Sequence, residues 1–308
     1  MMKLRWPLFG TVRPMLLNCY YYAPHNHTLL TKHLRADFGH MREMGVDVVS
    51  LCVQEEQLHN WHWRRLRNVV EIAHEMGLQV HAVPNRWCGL VAGWLDGFSS
   101  WTVEHPETTD RSTTRVGVSD PKHPAVREHF TDMLHVLLRN YPFDGVIWDE
   151  PRSSNPDLVP FLDEMAAYAK GIRPELTVSL FADSTRPETA PQYALTRHID
   201  YLGSDGHVRA TTHQMHRMKT TIFESHGIFH PLLTAANKQT LFLLEAQRHR
   251  DEDLDAYLAV LDQACALPMD QMMFYYSAHE MSPDLEDRFN RATWEAVARV
   301  KRKSMTPA

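Results

Sequence analysis

The chain of 308 residues lacks the features that mark several specialised classes of protein. Lysine and arginine (32) do not outnumber aspartate and glutamate (38), and the net charge of −6 argues against a nucleic-acid partner. No apolar run approaches the roughly 18 residues that a membrane span needs. Proline and glycine also interrupt the N-terminal segment before a signal-peptide core could form. These absences predict a cytoplasmic protein without membrane association.

Cysteine is also scarce and scattered along the chain. The four residues are Cys19, Cys52, Cys88 and Cys265, and no two of them form a Cys-x-x-Cys pair. A cysteine within an apolar segment usually packs as a small hydrophobic side chain. We therefore expect reduced thiols in the core, with no disulfide, no metal site and no cofactor.

What the sequence does contain is a regular alternation of short apolar runs with segments of helical periodicity. This alternation is typical of βα units around a parallel sheet, and with 44% hydrophobic residues the chain can bury a large core. Eight runs start about every 37 residues, the length of one unit of a (β/α)₈ TIM barrel. The predicted strands are Met15–Tyr22, Val46–Val53, Gln79–Val83, Gly145–Trp148, Leu176–Phe181, Tyr201–Gly203, Thr240–Leu244 and Met272–Tyr276.

The sequence thus predicts an α/β protein whose residues 1–308 form a single TIM-barrel domain with a long loop after strand 3. This loop, residues 85–123, contains Trp87, Trp94 and Trp101 and many serines and threonines. Connections of that length in compact domains are usually functional. In a barrel it would lie over the C-terminal face, where active sites form.

Carboxylates follow two strongly apolar strands. Asp149 and Glu150 come directly after Gly145–Trp148, and Glu245 follows Leu241–Leu244. An ionisable group beside a buried strand is costly to desolvate unless it faces a polar cavity. Two carboxylates in such a cavity can act as acid and as base or nucleophile.

Further polar and aromatic residues at the predicted strand ends complete a candidate saccharide site. Asp205 is a further candidate catalytic residue, although Asp205 and Asp183 could also act as helix N-caps. Tyrosine and tryptophan rings would stack on sugar faces, while the polar side chains would bond hydroxyl groups. The candidate substrate-binding residues are Tyr22, His25, Asn85, Arg86, Trp87, Trp148, His207, Tyr276 and His279.

The stretch from Ser119 to Pro151 carries a family resemblance. It contains Asp120-Pro121, Val126-Arg127 and then the run from Tyr141 to Pro151. This arrangement resembles the segment before and through strand 4 of glycoside-hydrolase-like TIM barrels. The resemblance implies a sugar-active barrel with a functional carboxylate at the end of strand 4.

Retaining glycosidases of this type carry their acid/base on strand 4 and their nucleophile on strand 7. The resemblance implies that Glu150 is the acid/base and Glu245 the nucleophile, with Asp149 and Asp205 positioning hydroxyls or tuning Glu150. These glycosidases usually have asparagine directly before the strand-4 glutamate, whereas this sequence has Asp149. The resemblance therefore does not carry over the usual contact between that asparagine and the sugar 2-hydroxyl. The expected partner is a small or partly degraded carbohydrate, and a homo-oligomer is possible.

Three alternatives remain open at the level of sequence. One is an α-glycosidase that uses Asp149 and Asp205. Another is a sugar isomerase or epimerase of the xylose-isomerase-like type, with a divalent metal held by Glu150, Asp183, His207 and Glu245. The last is a barrel that binds saccharide without turnover.

Overall fold

The protein forms a closed barrel of eight parallel strands, paired in chain order. A computed structural model describes residues 15–21, 30–55, 58, 63–92, 99–112, 117–151, 154–183, 187–209, 221–245, 254–276 and 287–305. The strands are β1 Leu16–Tyr21, β2 Val48–Gln54, β3 Gln79–Asn85, β4 Gly145–Trp148, β5 Thr177–Ala182, β6 Tyr201–His207, β7 Gln239–Glu245 and β8 Gln271–Tyr276. The (β/α)₈ barrel predicted from the sequence is confirmed.

Helices alternate with the strands and surround the barrel. Within the described ranges they are α1 Thr31–Met44, α2 Trp63–Glu75, α3 Ser100–Glu104, α4 Pro124–Asn140, α5 Leu158–Ile172, α6 Ala190–Ala194, α7 Ile222–Ala235, α8 Leu254–Cys265 and α9 Asp287–Met305. The long connection after β3 includes α3 and two short 3₁₀ turns, Trp87–Gly89 and Pro106–Thr108. None of the helices in the described ranges is long and apolar enough to cross a membrane.

Strand β6 is longer than the sequence predicts. It continues to His207, and its last residues pair with β7 as far as Glu245. The prediction that it ends at Gly203 is wrong, because Asp205-Gly206 suggests a turn when only local propensity is considered. Gly206 is instead required by packing, since an added Cβ would lie 2.5 Å from the backbone of Ile222.

Side chains alternate between the barrel interior and the helical layer. The middle of the interior is an apolar layer separate from the larger core between barrel and helices. Its members come from all eight strands except β6, where Gly203 leaves no side chain. They are Tyr20, Cys52, Val83, Ile147, Phe181, Leu241, Leu243 and Met273.

Below this layer, towards the N-terminal ends of the strands, the interior is polar. Asn18, Ser50, His81, Ser179 and Gln271 each precede an interior residue by two positions, so all five face inwards. All five are buried, and Ser50 Oγ donates to Asn18 Oδ1 at 2.7 Å. The barrel interior is therefore polar at its base and apolar at its middle.

His81 fills the base where β4 has no side chain. An added Cβ at Gly145 would lie 2.6 Å from the His81 ring, so the ring occupies the space that a larger residue would need. Neither ring nitrogen has a hydrogen-bond partner among the described residues. Burial lowers the pKa of His81 to about 4, and the negative charge of Asp144 offsets only part of this effect.

Four aspartates form a repeated clamp at the base of the barrel. One stands directly before each even-numbered strand, and its carboxylate accepts a backbone N–H near the start of the preceding odd-numbered strand. The bonds join Leu17 to Asp47 (2.8 Å), Val80 to Asp144 (2.7 Å), Val178 to Asp200 (2.8 Å) and Thr240 to Asp270 (2.7 Å). The barrel is thus organised as four pairs of strands.

We expect Asp200→Ala to lower the free energy of unfolding by about 2 kcal/mol. The substitution leaves the Val178 N–H and the Lys170 ammonium, 2.7 Å from the carboxylate, without their acceptor. Asp262→Ala is the control, because its carboxylate is 73% exposed and pairs with the half-exposed Arg299. Urea unfolding measures both, and equal losses would contradict the clamp.

We expect stability to fall as the pH is lowered from about 6.5 to about 4, because His81 binds a proton more readily in the unfolded chain. A folded pKa near 4 corresponds to a loss of about 3 kcal/mol. His81→Phe should remove this contribution. The measurement is the difference between the pH profiles of the two proteins, and parallel profiles would contradict a buried neutral His81.

Candidate active site

The C-terminal ends of β6 and β7 bring an acid and a histidine into contact. Asp205 pairs in register with Leu243, an interior residue, so its side chain also faces the interior. His207 and Glu245 lie two positions further along each strand and are themselves in register. His207 Nε2 lies 3.0 Å from Glu245 Oε2, and both side chains are at most 1% exposed.

Strands β4 and β5 contribute further carboxylates at the same end. Asp149 follows the interior residue Ile147 by two positions, and Asp183 follows Phe181 in the same way. Asp183 is buried, whereas Asp149 is half-buried. Four consecutive strands therefore direct carboxylates towards one mouth, a set composed of Asp149, Asp183, Asp205 and Glu245.

The turns after β3 and β4 are held in an uncommon backbone conformation. Arg86 has φ 61° and Glu150 has φ 31°, values that residues other than glycine adopt at a cost. The Arg86 N–H donates to Ala92 O (3.2 Å), and the Ala92 N–H donates to Asp149 O (2.7 Å). The loop after β3 thus connects to the end of β4, and the buried Asn85 ends β3 beside it.

Two tyrosines lie beneath this mouth on the opposite side of the barrel. Tyr20 on β1 and Tyr275 on β8 stack with ring centroids 5.5 Å apart, and both pack with the interior layer. Tyr20 Oη also lies 2.8 Å from Cys52 Sγ. The prediction from sequence omits both residues, although alternation from the interior Met273 would have selected Tyr275 rather than Tyr276.

Three aromatic residues predicted to bind substrate lie in the helical layer instead. Trp87 and Trp148 are fully buried against Phe130 of α4, and Trp87 Nε1 donates to Val53 O. Tyr276 stacks on Trp294 of α9 with centroids 4.4 Å apart. The structure does not bring these rings to the mouth. Trp148 and Tyr276 occupy outward-facing positions in the alternation, and Trp87 lies in the 3₁₀ turn after β3.

Tyr276 has a separate role in packing. Its hydroxyl lies 2.9 Å from His40 Nδ1, and burial raises the pKa of Tyr276. It joins α1 and α9 to the barrel wall.

The remaining predicted residues divide into two groups. Tyr22, His25 and His279 lie outside the described residues. Those that the structure places at or beside the mouth are Asn85, Arg86, Asp149, Glu150, Asp205, His207 and Glu245.

The four residues of the isomerase alternative do not form a metal-binding ring. Of the residues that the structure describes, one group of His, Cys, Asp or Glu has three ligand atoms within 4.8 Å of one another, and it lies elsewhere. Glu150, Asp183, His207 and Glu245 do not meet this condition together. The isomerase alternative stays a prediction, and the positions of these four side chains do not support it.

The fold is similar to that of several solved glycoside hydrolases. The GH5_18 protein of Bifidobacterium longum superposes with a TM-score of 0.63 at 15% identity, over 94% of this chain and 79% of that one. An endo-β-1,4-mannanase of Thermotoga petrophila gives 0.62 at 12% identity (96% and 77%). An α-amylase of Geobacillus thermoleovorans gives 0.60 at 12% identity (94% and 78%).

The chain is a (β/α)₈ TIM barrel whose fold is similar to that of glycoside hydrolases. No protein-family model and no curated protein matches it. At these identities the likeness concerns the fold. The similarity therefore assigns no reaction to this barrel.

We expect Gly206→Ala to destabilise the strand that carries Asp205 and His207. The new Cβ would meet the Ile222 backbone at 2.5 Å, and overpacking of this kind costs about 1–3 kcal/mol. Gly227→Ala on α7 is the control, since its Cβ meets no heavy atom within 4 Å and a helical alanine stabilises by about 0.5–1 kcal/mol. Thermal unfolding should shift in opposite directions, and a neutral Gly206→Ala would contradict the close approach.

Proposed function

We propose that the protein hydrolyses a glycosidic bond in a small or partly degraded saccharide. The proposal depends chiefly on one observation. Glu245 ends β7 almost completely buried, with His207 Nε2 3.0 Å from one of its carboxylate oxygens. A carboxylate buried at the catalytic end of a TIM barrel and oriented by a neighbour is suited to a specific chemical task.

In this mechanism Glu245 is the nucleophile. The His207 imidazole, 3.0 Å away, positions the carboxylate, and in its protonated form it would stabilise the negative charge. A carboxylate oxygen of Glu245 attacks the anomeric carbon, and the glycosidic bond breaks to leave a glycosyl-enzyme ester. His207 therefore acts as a positioning residue.

Glu150 acts as the acid/base. It donates a proton to the leaving oxygen in the first step and accepts one from water in the second, after which the sugar leaves Glu245. The left-handed backbone at Glu150 supports a functional role, because such strain persists where the surrounding structure enforces it. Asp149 and Asp205 bind hydroxyl groups, and Asn85 and Arg86 extend this polar surface.

A second assignment has its own support. Alternation directs both Asp149 and Asp205 into the barrel interior, the positions expected of an α-glycosidase whose nucleophile lies on strand 4 and acid/base on strand 6. We favour Glu150 and Glu245 because the buried Glu245 would otherwise have no chemical role.

We expect Glu150→Gln and Glu245→Gln each to lower kcat by about 10²–10⁴-fold while the protein stays folded. Hydrolysis of a panel of aryl α- and β-glycosides, with circular dichroism of each variant, measures this. Glu175→Gln is the control, because that side chain is 77% exposed in the connection between α5 and β5, at the base of the barrel.

The outcomes separate the candidates. Near-normal turnover in Glu150→Gln and Glu245→Gln, with activity lost in Asp149→Asn and Asp205→Asn, would replace the first assignment by the second. Saccharide binding that survives every substitution, without product from any glycoside, would show a non-catalytic binding barrel.

A cytoplasmic location, possible self-association and the absence of nucleic-acid binding are part of the proposal. They depend on composition and charge.

A further inference from the structure

A second cluster of reactive side chains lies on the rim between β2, β3 and α4. Glu55 follows β2, Cys88 lies in the 3₁₀ turn Trp87–Gly89 after β3, and His129 lies on α4. One ligand atom from each residue lies within 4.8 Å of the other two. These residues have no part in the proposed hydrolysis.

The spacing within this cluster suits a metal better than a hydrogen bond. His129 Nε2 lies 3.5 Å from Glu55 Oε1 and, although buried, makes no hydrogen bond among the described residues. A good N–H···O bond spans about 2.7–3.2 Å. Ligand distances of about 2.0–2.2 Å around tetrahedral zinc place neighbouring nitrogen and oxygen ligands roughly 3.4 Å apart.

We propose that Glu55, Cys88 and His129 bind a zinc ion. Thiolate, imidazole and carboxylate are the three ligand types that zinc takes in proteins. The thiolate and the carboxylate together neutralise the dication, so that no net charge is buried. A water molecule would occupy the fourth position of the tetrahedron.

The surroundings orient these ligands in the way that metal sites require. The Cys88 N–H donates to Glu55 Oε1 (2.9 Å), and Ser99 Oγ donates to Glu55 Oε2 (2.8 Å). The Trp101 ring stacks on His129 with centroids 4.4 Å apart and planes only 6° from parallel. The carboxylate and the imidazole are thus held in place before an ion arrives.

Binding requires one proton to leave. The thiolate is the form of cysteine that binds a metal ion, so the thiol proton must leave when zinc binds. Zinc forms the Zn–S bond as the S–H bond breaks, and the proton passes to solvent. The ion would then join the end of β2, the turn after β3 and α4. The spacing of the cysteines in the sequence had predicted a protein without a metal site.

The test is metal binding by the purified 308-residue chain after treatment with a chelator and dialysis. We expect one Zn²⁺ per chain, release of about one proton in weakly buffered solution, and a rise in the melting temperature. Substitution of Co²⁺ should give a thiolate charge-transfer band and the d–d absorption of a four-coordinate ion. X-ray absorption at the zinc edge of the unsubstituted protein should show one sulfur ligand.

Variants locate the site. Cys88→Ser and His129→Gln should each weaken zinc binding by more than about 100-fold, since loss of a group that merely orients a ligand already costs roughly 10–100-fold. Cys265→Ser is the matched control, a buried cysteine on α8 outside the cluster. Absence of stoichiometric binding, a spectrum without sulfur, or equal binding by Cys88→Ser and Cys265→Ser would overturn the proposal.

Discussion

Closure of the barrel depends on the four carboxylates at its base. Each of Asp47, Asp144, Asp200 and Asp270 accepts an N–H from the strand before its own. A shift of one residue in any of these four pairings would break such a bond and exchange interior for exterior side chains along that strand. In three of the four pairs, the aspartate lies 30 residues or more along the sequence from the N–H that it accepts. These bonds therefore also stabilise long-range contacts.

The composition of the mouth follows from this register. With every strand held, alternation directs Asp149, Asp183, Asp205 and Glu245 into one opening and turns the neighbouring aromatic residues outwards. The apolar layer beneath separates these charges from the polar base. The carboxylates therefore lie above a closely packed apolar layer, which helps to fix their positions as catalysis requires.

Much of this organisation could be predicted from the sequence, because strands buried on both faces give strong apolar runs and glycines mark the ends of helices. The carboxylates after β4 and β7 could be identified for the same reason. The direction in which a side chain points is less predictable from sequence. Tyr275 and Tyr276 are adjacent and chemically alike, and only the strand register distinguishes the one that faces inwards. Glu55, Cys88 and His129 are far apart in sequence, so no spacing could indicate that they meet.

The segment from Asp144 to Glu150 combines two unrelated requirements. Asp144 clamps Val80, and Gly145 leaves room for the His81 ring, so the first half of the segment is determined by packing at the base. Asp149 and Glu150 lie at the opposite end of the same short strand and are free of that requirement. During divergence a relative could therefore keep the Asp-Gly pair while exchanging its carboxylates, and a shared Asp-Gly would then report common ancestry of the scaffold without common catalysis.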